Sequence, residues 1–122
     1  MSKKDSFLVN RLKSVGHAYK GVVHLIKTES SIKIQVCIAI AVTITGFYFD
    51  ISNTEWLIQI VFIGLVMSLE GMNTAFEHIS DFVHPDTHEH IGRIKDIAAG
   101  AVLIAAVSAV IAALIIYIPK IF

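Results

Sequence analysis

At 122 residues the chain has room for one domain and not for two ordinary ones. Ten basic and ten acidic side chains cancel, so nothing in the balance calls for a nucleic-acid partner, yet 55% of the residues are apolar. A mean hydropathy of +0.71 is more than a soluble domain of this size can hide from water, and the membrane is the natural solvent. The single cysteine, Cys37, lies inside an apolar run, which excludes an intrachain disulfide and a cysteine metal cluster and leaves it as a packing residue.

The first element is polar overall. Leu8, Leu12, Val15, Tyr19, Val22 and Ile26 recur at alternating steps of four and three, one stripe of a helix, while Lys13, Lys20 and Lys27 repeat on another face. This pattern predicts an amphipathic helix over about residues 5–30, lying on an anionic membrane surface, with Asp5 or Ser6 as its cap. Glu29 falls where that helix must turn into the membrane, a costly place for a carboxylate unless something uses it.

Three apolar runs follow. Ile34 to Phe49 is uncharged and ends at Asp50, a span at the short end of the range; the polar stretch before it is too long for a signal peptide. The second run starts at the interfacial aromatic Trp56, is uncharged through Leu69, and continues as a polar helical extension to residue 83. The third, residues 97–118, has the length of a complete span. The expected fold is therefore all-α: a surface helix and three transmembrane helices in a single domain, residues 1–122. Lys3, Lys4, Arg11, Lys13, Lys20, Lys27 and Lys33 precede the first span, the loop from Asp50 to Glu55 has no basic residue, and Arg93 and Lys95 lie between the second and third spans. By the positive-inside rule the N-terminus is cytoplasmic, and every chemically interesting residue falls on that side.

Glu70, Asn73, Glu77 and Asp81 are spaced by three, four and four, and at about 100° per residue they fall within roughly 80° of one another, with Thr74 on the same face. On a soluble helix such a stripe is usually a solvated face. Here it continues a membrane span: the fourteen residues from Trp56 to Leu69 cover about 21 Å of a hydrocarbon layer roughly 30 Å thick, which puts Glu70 near its cytoplasmic edge and Glu77 about 10 Å further on. Carboxylates at that depth mark a proton relay, an ion pathway, a helix pairing device or a catalytic site. Mg²⁺ needs one or two carboxylates together with water and phosphate oxygens, so Glu29 and Glu77 suffice for Mg-ATP, and Glu70 is placed as a general base for a lipid hydroxyl. Lys95 and Asp96 open the third span, where the lysine neutralises phosphate charge or, on the structural reading, the pair snorkels and caps the helix. The His84, His88 and His90 cluster lacks zinc-site spacing, and no Gly-rich phosphate loop or dinucleotide fingerprint is present. Ala98, Ala101, Ala105, Ser108 and Ala112 give the third span a small-residue face suited to close helix contact.

The run Glu70-Gly71-Met72-Asn73-Thr74-Ala75-Phe76-Glu77 with Asp81 resembles the prokaryotic diacylglycerol kinase family, which includes the undecaprenol kinases. The likeness recurs at residues 95–103, at Glu29 and at Glu55-Trp56, and so covers the chain in order. Ser30, Ser31 and Gln35 depart from the residues common at those positions. The resemblance implies a homotrimer in a bacterial inner membrane, with active sites shared between subunits, that transfers the γ-phosphoryl group of Mg-ATP to a lipid alcohol. Carried over by position, it implies Glu70 as catalytic base, Glu29 and Glu77 as holders of the metal, and Asn73, Asp86, His88, Lys95 and Asp96 as further nucleotide-site residues. A non-enzymatic scaffold or ion-pathway subunit is the alternative, in which the carboxylates serve packing or conduction.

Overall fold

The computed structural model describes residues 6–122, which form four helices and no strand: α1 (Phe7–Thr28), α2 (Ser30–Tyr48), α3 (Asn53–Val83) and α4 (Glu89–Ile121). Ser6 caps α1 by accepting the Val9 N–H at 3.2 Å; the alternative cap, Asp5, lies outside the described residues. No residue of α1 is buried, and Leu8, Leu12, Val15 and Tyr19 stand exposed. An apolar stripe with no protein against it, opposite a row of lysines, is what a membrane surface accommodates.

One residue separates α1 from α2. Glu29 has extended dihedrals (φ −102°, ψ 116°), closes α1 with its N–H on Leu25 O, and opens α2 by accepting the Lys33 N–H. The break therefore occurs at the carboxylate, where the sequence puts it. At the far end of α2, Asp50 takes a positive φ of 51° and the Ile51 N–H bonds back to Gly46 O. This is a left-handed stop in which aspartate stands where glycine is commonest. Ser52 and Glu55 then start α3 with a reciprocal capping box.

At 31 residues α3 is about 46 Å long, half as long again as the hydrocarbon layer, so its polar end projects beyond the span. Helix α4 starts at Glu89, well ahead of the uncharged run at residue 97, and its cap is His88, whose Nδ1 accepts the His90 N–H at 3.1 Å. The capping role considered for Asp96 is thus overturned: Asp96 lies within the helix, past its first turn.

Helices α3 and α4 make the most extensive contact, and α2 packs more sparsely on α3. The seam of α4 runs through Ala98, Val102, Ala105, Ala109, Ala112 and Ile116, all buried or half-buried and alternating by four and three. Ala101, assigned to this face from the sequence, is exposed instead. Only six apolar side chains are buried in the described residues, whereas Leu57, Ile60, Val61, Leu103 and Ile104 are more than half exposed in mid-helix. Lipid is the solvent that tolerates such a surface. Three of the helices, α2, α3 and α4, are long and apolar enough to cross a membrane.

Opposite the α1 end, the helices are pinned together. Trp56, assigned to the interface by sequence, packs here on an inner cluster of Ile51, Ile116 and Tyr117. Tyr117 donates its hydroxyl hydrogen to Gln59 Oε1 at 2.6 Å, and Gln59 Nε2 donates to Val42 O at 3.2 Å, tying α4, α3 and α2 in one chain of bonds. Lys120 pairs with Glu55 at 2.9 Å just beyond. Gly46 is required for this closure, because a Cβ there would lie 2.7 Å from the Trp56 ring. Alanine at residue 46 gains about 1 kcal/mol of helix propensity and loses about 1–3 kcal/mol to overpacking. Gly46→Ala is therefore expected to lower the melting temperature in detergent, and a rise would show that α2 can move away from Trp56 freely.

Candidate active site

The stripe on α3 emerges from the interior as it climbs. Asn73 and Thr74 are buried, Glu70 and Glu77 are half-buried, and Asp81 is exposed. The Thr74 hydroxyl donates to Glu70 O, a turn earlier, which leaves the Glu70 carboxylate to be met from another helix. That partner is Gln35 on α2, whose Nε2 lies 3.4 Å from Glu70 Oε2. An amide facing a carboxylate presents its N–H edge, because its oxygen there would be repelled. Gln35 Oε1 is left buried without a partner, at a cost of about 1–3 kcal/mol.

One turn above, Asn73 Nδ2 approaches Glu77 Oε1 at 3.4 Å, and Asn73 Oδ1 is buried without a partner. The α1–α2 joint faces the same turn: Glu29 Oε1 lies 3.9 Å from His78 Nε2, and Leu25 rests on Gly71. Glu29 at the α1–α2 junction and Asn73 and Glu77 within α3, far apart in sequence, are in this way brought to one end of the bundle. Their donor set is two carboxylates and a spare amide oxygen, hard oxygen ligands of the kind that Mg²⁺ takes in company with phosphate oxygens. Among the described residues no three histidine, cysteine or acidic side chains converge on a metal position; the His84 and His88 ring centroids lie 4.8 Å apart edge to face, and those of His88 and His90 lie 5.6 Å apart and tilted.

Lys95 reaches back from α4 to Asp81 and forms an ion pair with it, which sets the start of α4 against the top of the α3 stripe. Asp96 is exposed on the next position. Asp86 and His88 remain on the connecting segment: Asp86 uses its carbonyl oxygen against His84 Nδ1 at 2.8 Å, and His88 is occupied as the α4 cap. Neither is joined by a hydrogen bond or ion pair to Glu29, Glu70 or Glu77 in the arrangement described.

Below Glu70 the sparse packing of α2 leaves an apolar groove between α2, α3 and α4, with a volume of about 490 Å³. Gln35, Ser31 and Glu70 lie at one end, Gln59 and Ile116 at the other, and the walls are aliphatic, with Ala106 and Ala109 opening space on the α4 side. Glu70 is the one ionisable side chain in its lining. Sequence reasoning missed the groove and the roles of Gln35 and His78. An amide just inside an otherwise apolar run was the signal for Gln35.

Comparison with known proteins gives the family of the chain. The family described as prokaryotic diacylglycerol kinase matches residues 16–117. The chain belongs to this family. It is 39% identical over 120 residues to an undecaprenol kinase of Bacillus subtilis, with 98% of each chain covered. It is 29% identical to a diacylglycerol kinase of Escherichia coli K12 over 91% of each chain. A diacylglycerol kinase of a Synechocystis strain matches at 33%, over 84% of this chain and 59% of the relative. As a member of the prokaryotic diacylglycerol kinase family, the protein is a membrane phosphotransferase with a lipid alcohol as acceptor, which removes the scaffold and ion-pathway alternative.

The Asp81 to Lys95 pair is more than a third exposed on both sides, and such pairs are worth about 0–1 kcal/mol. Asp81→Asn is expected to change stability in detergent by no more than that. A loss several times larger would show that the pair, and not the α3–α4 seam, fixes the start of α4.

Proposed function

We propose that the protein transfers the γ-phosphoryl group of Mg-ATP to the hydroxyl of a membrane lipid at the cytoplasmic face of the inner membrane. The observation that carries this reading is the apolar groove that ends on Glu70, with the polar cluster of Asn73, Glu77 and Glu29 starting one turn above it. A lipid tail fits the groove and its alcohol meets Glu70, while a water-soluble nucleotide approaches from the polar end.

In this scheme Glu70 takes the proton of the acceptor hydroxyl as its oxygen bonds to the γ-phosphorus, and the bond from that phosphorus to ADP breaks on the opposite side. Glu29 and Glu77 hold the metal, with Asn73 fixing Glu77. Bound Mg²⁺ supplies neutralisation of the phosphate charge. Lys95 leaves Asp81 for the phosphates, and Asp96, Asp86 and His88 complete the nucleotide side. Rate enhancement then comes mainly from positioning and charge, as phosphoryl transfer requires. Exposed Gly64 and Ser68 on α3 permit close approach of a second copy, in keeping with a trimer whose neighbouring subunits complete each site.

Of the two acceptors named for the relatives, undecaprenol is the one we infer. The relative of that name is the more similar of the two.

With labelled ATP and vesicles carrying either lipid, phosphate is expected on undecaprenol at a higher rate than on diacylglycerol. Transfer to neither from a folded sample would end the proposal. Glu70→Gln is expected to reduce turnover by on the order of 10²–10⁴ while nucleotide binding persists; lost binding would move Glu70 into the metal site. Glu29→Gln and Glu77→Gln should each raise the Mg²⁺ concentration needed for half-maximal rate, and an unchanged requirement would remove that residue from the metal.

A further inference from the structure

Two glutamines line the groove, one towards each end, and their amides are used differently. Gln59 is buried with both edges occupied, its Nε2 donating to Val42 O and its Oε1 accepting from Tyr117. Gln35 has one edge occupied: Nε2 donates to Glu70 Oε2, and Oε1 is buried with no donor. A buried acceptor without a partner is unfavourable. Methionine, of the same length and without that oxygen, would fill the position with no loss of packing. Stability therefore accounts for Gln59 and not for Gln35.

Glu70 accounts for it. It is the one ionisable group lining the groove, and Thr74 is turned to its backbone oxygen and not to its carboxylate. Among the described residues the Gln35 amide is the side-chain donor that meets the Glu70 carboxylate. A free carboxylate on a long side chain samples several rotamers, whereas one held at Oε2 offers its other oxygen in a defined place. We propose that Gln35 is a positioning residue for Glu70, fixing one carboxylate oxygen so that the other receives the proton of the acceptor hydroxyl. The 3.4 Å separation shortens when both substrates fill the site, as hydrogen bonds in resting active sites commonly do. This inference rests on the reading of Glu70 as the base.

The test uses the full-length protein in mixed micelles. Gln35→Met is expected to lower kcat by about tenfold or more, to leave KM for Mg-ATP within about twofold, and to leave the melting temperature unchanged or raised. Gln35→His, which restores a ring N–H donor, should recover part of the lost kcat. A Gln35→Met variant with kcat within about twofold of the parent overturns the proposal, and so does a loss of kcat matched by an equal rise in KM for Mg-ATP or by a fall in melting temperature. Failure of the underlying reading has its own signature. A Glu70→Gln variant that still turns over removes the base itself, whatever residue 35 does.

Discussion

Hydrocarbon tails are as apolar as leucine, so α3 and α4 gain nothing by hiding leucine from their solvent. Their association depends on how closely the two backbones approach. The alanine-rich seam from Ala98 to Ile116 provides that approach, and it alternates by four and three over the length of the span. Everything else is placed relative to this hairpin. It carries the polar stripe on one helix and Lys95 on the other, and it presents two walls of the groove. The third wall, α2, is held at the opposite end through Trp56 on Gly46 and the Tyr117, Gln59 and Val42 bonds, and buries Ile32 at the α1 end.

That distribution of packing explains why the groove exists where it does. Because α2 packs on α3 less extensively than α4 does, a space opens between the three helices, and it ends at the height of Glu70. The result is an apolar compartment capped by a carboxylate, with further carboxylate and amide oxygens starting one turn beyond. A lipid kinase has to bring together a substrate soluble in hydrocarbon and one soluble in water, and on the proposed reading both meet along α3.

Much of this was legible in the sequence for a simple reason. Length and polarity are one-dimensional properties, and the bilayer turns them into depth. The three helices long enough to span, the surface helix, the break at Glu29 and the emergence of the α3 stripe follow from counting along the chain. The sequence reading of α4 differed from the structure at particular residues. Ala101 shares the small size of its neighbours but flanks the α3–α4 seam and is exposed, and Asp96 looks like a cap until the helix is seen to start at Glu89. Family membership was also legible, because the run from Glu70 to Glu77 is specific, and it supplies the reaction type.

The solvent, the helices long and apolar enough to span, the family and the spacing of the carboxylates along α3 all follow from local composition and helical spacing. What meets those carboxylates follows from packing between helices. It set Gln35 against Glu70, Asn73 against Glu77, and Glu29 beside the turn of α3 that carries His78. It also made the groove, which exists because α2 packs less tightly than α4. The angle between two helices is settled by the shapes of all the side chains between them, and no spacing along one chain encodes it.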